Sequence, residues 1–367
     1  MKLKIKNLTG WKKTYLKLIN SKRRTIKILE LNFTDKICEV DIDLNKYAYI
    51  KLTNKKYCSE IIVLSQNLHE LIIRYNRRKK NYDVYLSDDS SYGIVNSYVL
   101  KDDKNLYFRP KHTKKIDVLV PHNYDENKKY NLLIMFDGQN LFDKKNSGNY
   151  TKLNDPYGSW QIDVSIKNLT RHYDEEFIVV GIENTDYLRM NELMQNNEFG
   201  EFKEIVKPMI DPMFDGHLDD LDNFINETVL PFITSKYSIN LDMIGIGGSS
   251  CGGGACHYVG MKNYQKYKFI LCYTPVSGFY LDSAWRNLYS KMDMSKNLPY
   301  FFFFQGRKGN LERQLYTLNT NLIDIMLECG YPKELINTYI DTGLNHNEIS
   351  WRYAFNYMIY HTFKNLK

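Results

Sequence analysis

The sequence predicts an α/β protein: a mostly parallel central sheet covered by helices on both faces, preceded by a small β-sandwich-like unit. Three observations carry this. Beyond residue 115, short continuous apolar runs such as Leu132-Leu133-Ile134-Met135-Phe136 and Tyr300-Phe301-Phe302-Phe303-Phe304 alternate with helical patterns, and a strand apolar on both sides belongs inside a doubly covered parallel sheet. Before residue 110 the apolar runs are short, closely spaced and nearly free of helical signals, as in a small sandwich. A length of 367 residues exceeds one ordinary core. The expected division is 1–110, β-rich, and 111–367, α/β.

The elements follow in order. Val40-Asp41-Ile42-Asp43-Leu44 alternates strictly, and residues 47–52, 61–64, 71–73 and 82–86 are β-rich runs between polar breaks. Polar stretches at Ser87-Asp88-Asp89-Ser90-Ser91 and Lys101-Asp102-Asp103-Lys104 close this unit. Residues 116–120 read as a strand ended by Pro121, and 132–136 and 177–182 as buried strands. Residues 218–237 read as an amphipathic helix, with Leu221, Phe224, Ile225, Val229 and Phe232 at 3–4 spacing. Strands follow at 269–273, 300–304 and 336–341, with helices from about Arg313 to Cys329 and from about Glu348. The polar segment 184–216 is too long for a simple crossover. Its Met190, Met194, Met209 and Met213 either adapt to a ligand or belong to a surface insertion.

Composition narrows the class. The basic start, Met1-Lys2-Leu3-Lys4-Ile5-Lys6, lacks an uninterrupted apolar segment, so no signal peptide is expected. No run approaches 18 apolar residues. Six scattered cysteines (38, 58, 251, 256, 272 and 329) then read as free thiols in a reducing cytoplasm. Residues 1–115 carry 26 Lys and Arg against 12 Asp and Glu, and the remainder 24 against 31. The basic third is either a solvated surface or attractive to an anionic partner. No nucleic-acid-binding module accompanies it, so no nucleic-acid or membrane partner is expected.

The chemistry begins at Gly248-Ser249-Ser250-Cys251-Gly252, between the apolar run Met243-Ile244-Gly245-Ile246 and a helical segment. Strand, G-x-S-x-G, helix is the nucleophile elbow of α/β-hydrolases, a turn too tight for side chains at the two glycines. The pattern arises by chance in roughly one chain of this length in ten, so context decides. Ser250 is the candidate nucleophile, and it needs a base. Five histidines (69, 112, 122, 172 and 217) precede the elbow, whereas the fold orders its triad Ser, acid, His. His257 lies on the elbow helix and reads as packed; His361 sits in the terminal helix. His346 alone sits in a loop, Thr342-Gly343-Leu344-Asn345-His346-Asn347, directly after the last strand. It is the base by position. The oxyanion donors are the N–H of Cys251, which follows the nucleophile, and that of Gln139, which Gly138 turns toward the site in Asp137-Gly138-Gln139-Asn140-Leu141-Phe142-Asp143. Asp137, Asn140 and Trp160 are candidate substrate contacts.

These residues together resemble the esterase D-like "putative esterase" family of α/β-hydrolases. The resemblance rests on 116–121 with Tyr124-Asp125, 132–143, Ile178-Val179-Val180-Gly181-Ile182-Glu183-Asn184, 248–253, and His346-Asn347-Glu348 with Trp351. It covers about residues 110–365. It implies an enterochelin-, feruloyl- or acetyl-xylan-esterase-like hydrolase, with Ser250 as nucleophile, His346 as base and Gln139 and Cys251 as oxyanion donors. One position departs. The family places its triad acid in a G-x-x-[DE] loop, and Gly306-Arg307-Lys308-Gly309-Asn310-Leu311-Glu312 puts Gly309 there. Either Glu312 substitutes, or the site works as a Ser–His dyad, or Glu312 merely answers the helix dipole.

Other motifs fail. Gly245-Ile246-Gly247-Gly248-Ser249-Ser250 lacks the third glycine of a dinucleotide loop, and no Gly-Lys-[Ser/Thr] completes a P-loop. Cys251, Cys256 and His257 share no helix face, so zinc is not expected. The expectation is a cytoplasmic serine carboxylic-ester hydrolase working through an acyl-enzyme, without metal or organic cofactor. Its substrate is a small-molecule ester, by resemblance a siderophore lactone, acylated sugar or phenolic ester. The alternatives are an acyltransferase using the same residues and a non-catalytic binding protein, the latter motivated by Gly309.

Overall fold

In a computed structural model, residues 1–366 are described apart from 21–23, 60–61, 64–69, 77–80, 87–91, 143–158 and 185. Both ends of the expected strand 61–64, the polar stretch at 87–91 and Asp143 lie outside the described residues.

The N-terminal region contains two four-stranded sheets. One has the order β4-β1-β7-β8, from Lys2–Leu8 (β1), Ile37–Asp41 (β4), Glu70–Asn76 (β7) and Asn81–Leu86 (β8). The other is β3-β2-β5-β6, from Thr14–Ile19 (β2), Thr25–Leu31 (β3), Tyr49–Thr53 (β5) and Ile62–Val63 (β6). Their inner faces meet in one core of Leu3, Ile5, Leu16, Leu18, Ile50, Leu52, Leu71 and Ile73, the layering expected of a sandwich. The alternating run 40–44 does not continue as a strand. Asp43 accepts the N–H of Asn45 at 3.0 Å on its side chain and those of Lys46 and Tyr47 on its carbonyl, which turns the chain.

The large sheet has eight strands in the order β16-β15-β14-β13-β11-β12-β10-β9. They are Gly93–Lys101 (β9), Thr113–Pro121 (β10), Tyr130–Phe136 (β11), Phe177–Ile182 (β12), Ile239–Ser249 (β13), Phe269–Tyr273 (β14), Tyr300–Gly306 (β15) and Ile336–Asp341 (β16). Only β10 runs antiparallel to its neighbours β9 and β12; the rest pair in parallel. This is an α/β-hydrolase sheet. It begins at Gly93, upstream of the expected boundary at 110, because nine residues of β9 pair along the whole of β10.

The continuous apolar runs are explained by burial on both faces. Phe301 and Phe303 enter one core, Phe302 and Phe304 the other, and β11 and β12 divide in the same alternation. Helices Leu218–Phe224 (α3), Leu230–Lys236 (α4), Cys251–Lys262 (α5), Asp282–Ser290 (α6), Asn310–Asn319 (α7) and Leu322–Glu328 (α8) contribute to the first core. Ile162–Tyr173 (α1) and Glu348–Leu366 (α9) cover the second. The sandwich leans on this second face, where Tyr49 packs beside Tyr357 and Tyr360, and its hydroxyl lies 2.5 Å from His361 Nε2.

Two expected helices differ in detail. The helix at 218–237 is continuous but passes through a π-turn, Ile225–Val229, which ends two residues before Pro231. Proline has no N–H to return to the preceding turn, and the wider turn absorbs that loss. The helix expected from 313 to 329 starts at Asn310 and breaks after Asn319, where Thr317 and Thr320 bond back to helix carbonyls and the Asn319 side chain turns inward. Among the described residues, no helix is long and apolar enough to cross a membrane.

Candidate active site

Four loops that carry the candidate residues lie at the carboxyl ends of parallel strands of the large sheet, where open α/β sheets bind ligands. They follow β11, β13, β15 and β16.

Ser250 sits between β13 and α5 with φ 57° and ψ −120°, a conformation that an L-residue holds only when its surroundings impose it. They do. A side chain at Gly248 would place its Cβ 2.4 Å from the Gly252 carbonyl oxygen, and one at Gly252 would sit 2.9 Å from Asp137 Oδ2. The main chain is pinned as well: Ser250 N–H donates to Tyr273 O at 3.0 Å, and Val276 N–H to Ser250 O at 3.1 Å. Gly254 N–H is the donor that returns to Ser250 O at the start of α5. The N–H of Cys251 therefore stands among the first-turn donors without an intrahelical acceptor.

His346 lies after β16, on the loop that enters α9. Asn347 caps that helix by accepting the Ser350 N–H at 3.0 Å. The Trp351 ring stands edge-on to the imidazole, with centroids 5.0 Å apart, and Trp351 Nε1–H donates to Thr274 Oγ1 at 2.9 Å. His346 Nδ1 is 3.1 Å from Glu312 Oε1. Glu312 is in the first turn of α7 and only 1% exposed. Its other oxygen accepts Gln305 Nε2–H at 2.7 Å, Gln305 Oε1 accepts Asn319 Nδ2–H at 3.0 Å, and that amide also donates to Pro275 O at 2.8 Å. Gly309 occupies the N-cap of α7 with φ 89°. The strand-end loop therefore runs one turn further than a G-x-x-[DE] pattern, and the carboxylate reaches the imidazole from Glu312. The two loops are also tied directly, Lys308 N–H donating to Leu344 O at 3.0 Å.

The loop after β11 is a tight turn over Gly138–Asn140. Gly138 is pressed onto β12, since a Cβ there would lie 2.5 Å from the Gly181 carbonyl carbon. Its N-terminal hinge is Asp137, in the left-handed region at φ 57°, ψ 46°. Asp137 was expected to touch substrate. Instead it is 3% exposed, with both oxygens engaged: Arg189 Nε donates to Oδ1 and Nη2 to Oδ2, each at 2.8 Å, and Asn184 Nδ2 also donates to Oδ1. Burial would lower the Arg189 pKa, but the Asp137 carboxylate outweighs it and holds the guanidinium above its ordinary value. Trp160 is likewise core rather than contact. It is 1% exposed, packs edge-on to Tyr273 and beside Trp351, and its main-chain N–H donates to Asn140 O at 2.8 Å. Asn140 stays half-buried at the turn, its side chain 3.5 Å from Glu348 Oε1.

His257 is packed as expected. It is fully buried, stacks on Trp285 and contacts Ser277 Oγ at 2.9 Å and Tyr289 Oη at 2.5 Å, and burial lowers its pKa to about 3. In the segment 184–216, Met194 is buried and Met190 packs against the main core, whereas Met209 and Met213 are exposed.

Sequence reasoning passed over Gln305, Asn319 and Arg189. Gln305 carried a signal, a polar residue closing a buried phenylalanine run. Asn319 and Arg189 had none, because each meets its partner only across separate elements.

The "Putative esterase" family model matches residues 109–302. No curated protein sequence matches the chain. Among solved structures, a siderophore hydrolase, EstB, from Aspergillus nidulans is similar, with TM-score 0.53 and 16% identity over 74% of this chain and 97% of that one. An IroE-like serine hydrolase from Shewanella oneidensis aligns with TM-score 0.53 and 17% identity over 74% and 80% of the two chains. A CE1 ferulic acid esterase from Anaeromyces mucronatus, in complex with ferulic acid, gives TM-score 0.50 and 16% identity over 77% and 95%. At these identities the likeness is one of fold. The family model, which spans more than half of the residues, carries the assignment: the chain belongs to the "Putative esterase" family of α/β-hydrolases.

Proposed function

We propose that the protein is a serine carboxylic-ester hydrolase acting through an acyl-enzyme, with Ser250 as nucleophile, His346 as general base and Glu312 as the orienting acid. The observation that carries this is the buried Glu312 carboxylate 3.1 Å from His346 Nδ1, on loops at the same carboxyl edge of the sheet as the strained Ser250 turn. A carboxylate at Nδ1 keeps the proton there and leaves the Nε2 lone pair for the serine hydroxyl. Ser250 Oγ then bonds the ester carbonyl carbon while His346 Nε2 takes its proton. The tetrahedral oxyanion is met by the N–H groups of Gln139 and Cys251, each worth about 3 kcal/mol. Collapse expels the alcohol, which His346 protonates, and water attacking the acyl-enzyme by the reverse path releases the acid and restores Ser250. The binding-only reading loses its motive, since it rested on the absence of a carboxylate at Gly309.

The substrate class proposed is a siderophore lactone, acylated sugar or phenolic ester. Support comes from the kinds of hydrolase whose folds it resembles. The test is turnover of a short-chain p-nitrophenyl ester by wild type and Ser250→Ala, with fluorophosphonate labelling of Ser250. Turnover and labelling that both vanish in Ser250→Ala are expected. Equal turnover in the two proteins would overturn the assignment.

A further inference from the structure

We infer that Arg189 is a positioning residue that locks the oxyanion hole from behind, acting through Asp137 and the Cys251 side chain rather than by touching substrate. This rests on the serine-hydrolase reading above.

The geometry is that of a clamp. The guanidinium makes a two-pronged contact with Asp137, the hinge from which the Gly138–Asn140 turn departs, and planar forks of this kind fix orientation as well as charge. Beyond Asp137 it also interacts with the Cys251 side chain, so one side chain reaches both segments that carry the proposed donors. Asn184 completes the grip, its side chain donating to Asp137 and its N–H to Gln139 Oε1 at 3.2 Å.

The clamp has its own footing. Arg189 opens the short helix Arg189–Leu193 (α2). Its fourth residue, Glu192, is fully buried and held by Lys114 Nζ at 2.7 Å and by Arg109. Burial and the nearby Arg109 push the Lys114 pKa well below that of an ordinary lysine. Glu192 thus ties α2 to β10, at the far side of β12 from Asp137, and Arg189 projects from an anchored base.

This arrangement explains a feature that the proposed chemistry leaves unused. Asp137 is a buried carboxylate beside a nucleophile, yet a guanidinium never yields a proton in the accessible pH range. Held by that two-pronged contact, Asp137 is placed as a strut rather than as a proton carrier. Its left-handed backbone turns Gly138 onto β12, which fixes the start of the turn that carries the proposed Gln139 donor. Oxyanion donors act only when prepositioned where the negative charge develops, so loosening the strut weakens transition-state binding while leaving ground-state binding intact.

The experiment compares wild type, Arg189→Lys, Arg189→Met and Arg189→Gly. It reads kcat and KM on the p-nitrophenyl ester and the affinity for a phenylboronic acid, which forms a tetrahedral adduct with a serine nucleophile. Arg189→Met is expected to lose about 10²-fold in kcat with KM changed less than about threefold, and boronate affinity should fall in parallel. Arg189→Lys, which keeps the charge but not the fork, should lose about tenfold. Free guanidinium added to Arg189→Gly should restore part of the lost kcat. Wild-type kcat in Arg189→Lys, or a loss confined to KM in either variant, overturns the inference. Arg189→Lys decides the matter if Arg189→Met fails to fold. Failure of the underlying reading is distinct: it would appear as turnover that persists in Ser250→Ala.

Discussion

Two buried carboxylates flank Ser250 on opposite sides, and they differ in what faces them. Glu312, on the β15 side, meets an imidazole that can take up and release a proton. Asp137, on the β11 side, meets a guanidinium that cannot. On the proposed mechanism, the same functional group at similar depth takes two tasks, proton management in one case and fixed geometry in the other. Partner chemistry, not the carboxylate itself, assigns the role.

The comparison can be broken at several points. The largest effect belongs to Ser250, the proposed nucleophile between them. Ser250→Ala should lower kcat on the p-nitrophenyl ester by about 10⁴-fold or more with an unchanged unfolding midpoint. Next comes Glu312→Gln, expected to cost about 10³- to 10⁴-fold in kcat, since an amide can present its N–H to Nδ1 and force the unproductive tautomer. A loss under tenfold would mean that the site runs as a Ser–His dyad.

Asp137→Asn should behave in the opposite manner. Leaving Arg189 without its anion is expected to lower stability by about 1–3 kcal/mol in denaturant unfolding, with only about a tenfold loss of kcat. If Asp137→Asn and Glu312→Gln gave the same balance of rate and stability losses, the division of roles would be wrong.

The smallest effect on activity is expected at His257, the buried histidine that touches neither carboxylate. Its pKa is depressed to about 3 in the fold by burial, while an unfolded histidine titrates near 6.5. The unfolded state therefore binds the extra proton between these values. The stabilisation from keeping His257 neutral is complete above about pH 6.5 and is lost as pH falls toward 3. The wild-type unfolding midpoint should accordingly drop between pH 6.5 and 5, and His257→Gln should flatten that slope while leaving kcat at neutral pH within about threefold.

The sequence carried the hydrolase fold and the elbow. Runs such as 300–304 are apolar on both sides, and only a doubly covered parallel strand satisfies that. Gly248-Ser249-Ser250-Cys251-Gly252 encodes its turn locally, so Ser250 could be singled out from five residues. His346 could be offered as the candidate base because chain order in this fold places that residue after the last strand, and the structure sets it 3.1 Å from Glu312. The regions read less well share a different property. The run 40–44 alternates like a strand, yet a single Asp43 turn ends it. The strand β9 escaped notice because it has no apolar run, its place being set by pairing with β10. Asp137 and Trp160 looked like substrate contacts because a polar loop residue and a tryptophan near an active site have the right chemistry. Tertiary packing decided otherwise, giving Asp137 to Arg189, 52 positions away, and Trp160 to Tyr273 and Trp351.

By itself, then, the sequence determined what local sterics and hydrophobic periodicity encode: the α/β architecture, the strained serine turn and the loop histidine after the final strand. Only the tertiary structure decided which carboxylate meets the imidazole and which meets the guanidinium. Those pairings depend on how far a loop runs past its strand and on which elements are neighbours in space. A one-turn extension of the loop after β15 brings Glu312 to His346, and the adjacency of β11 and β12 brings Arg189 to Asp137. Neither leaves a mark in composition or spacing, because the energy of a buried charge pair comes from two distant residues desolvated together.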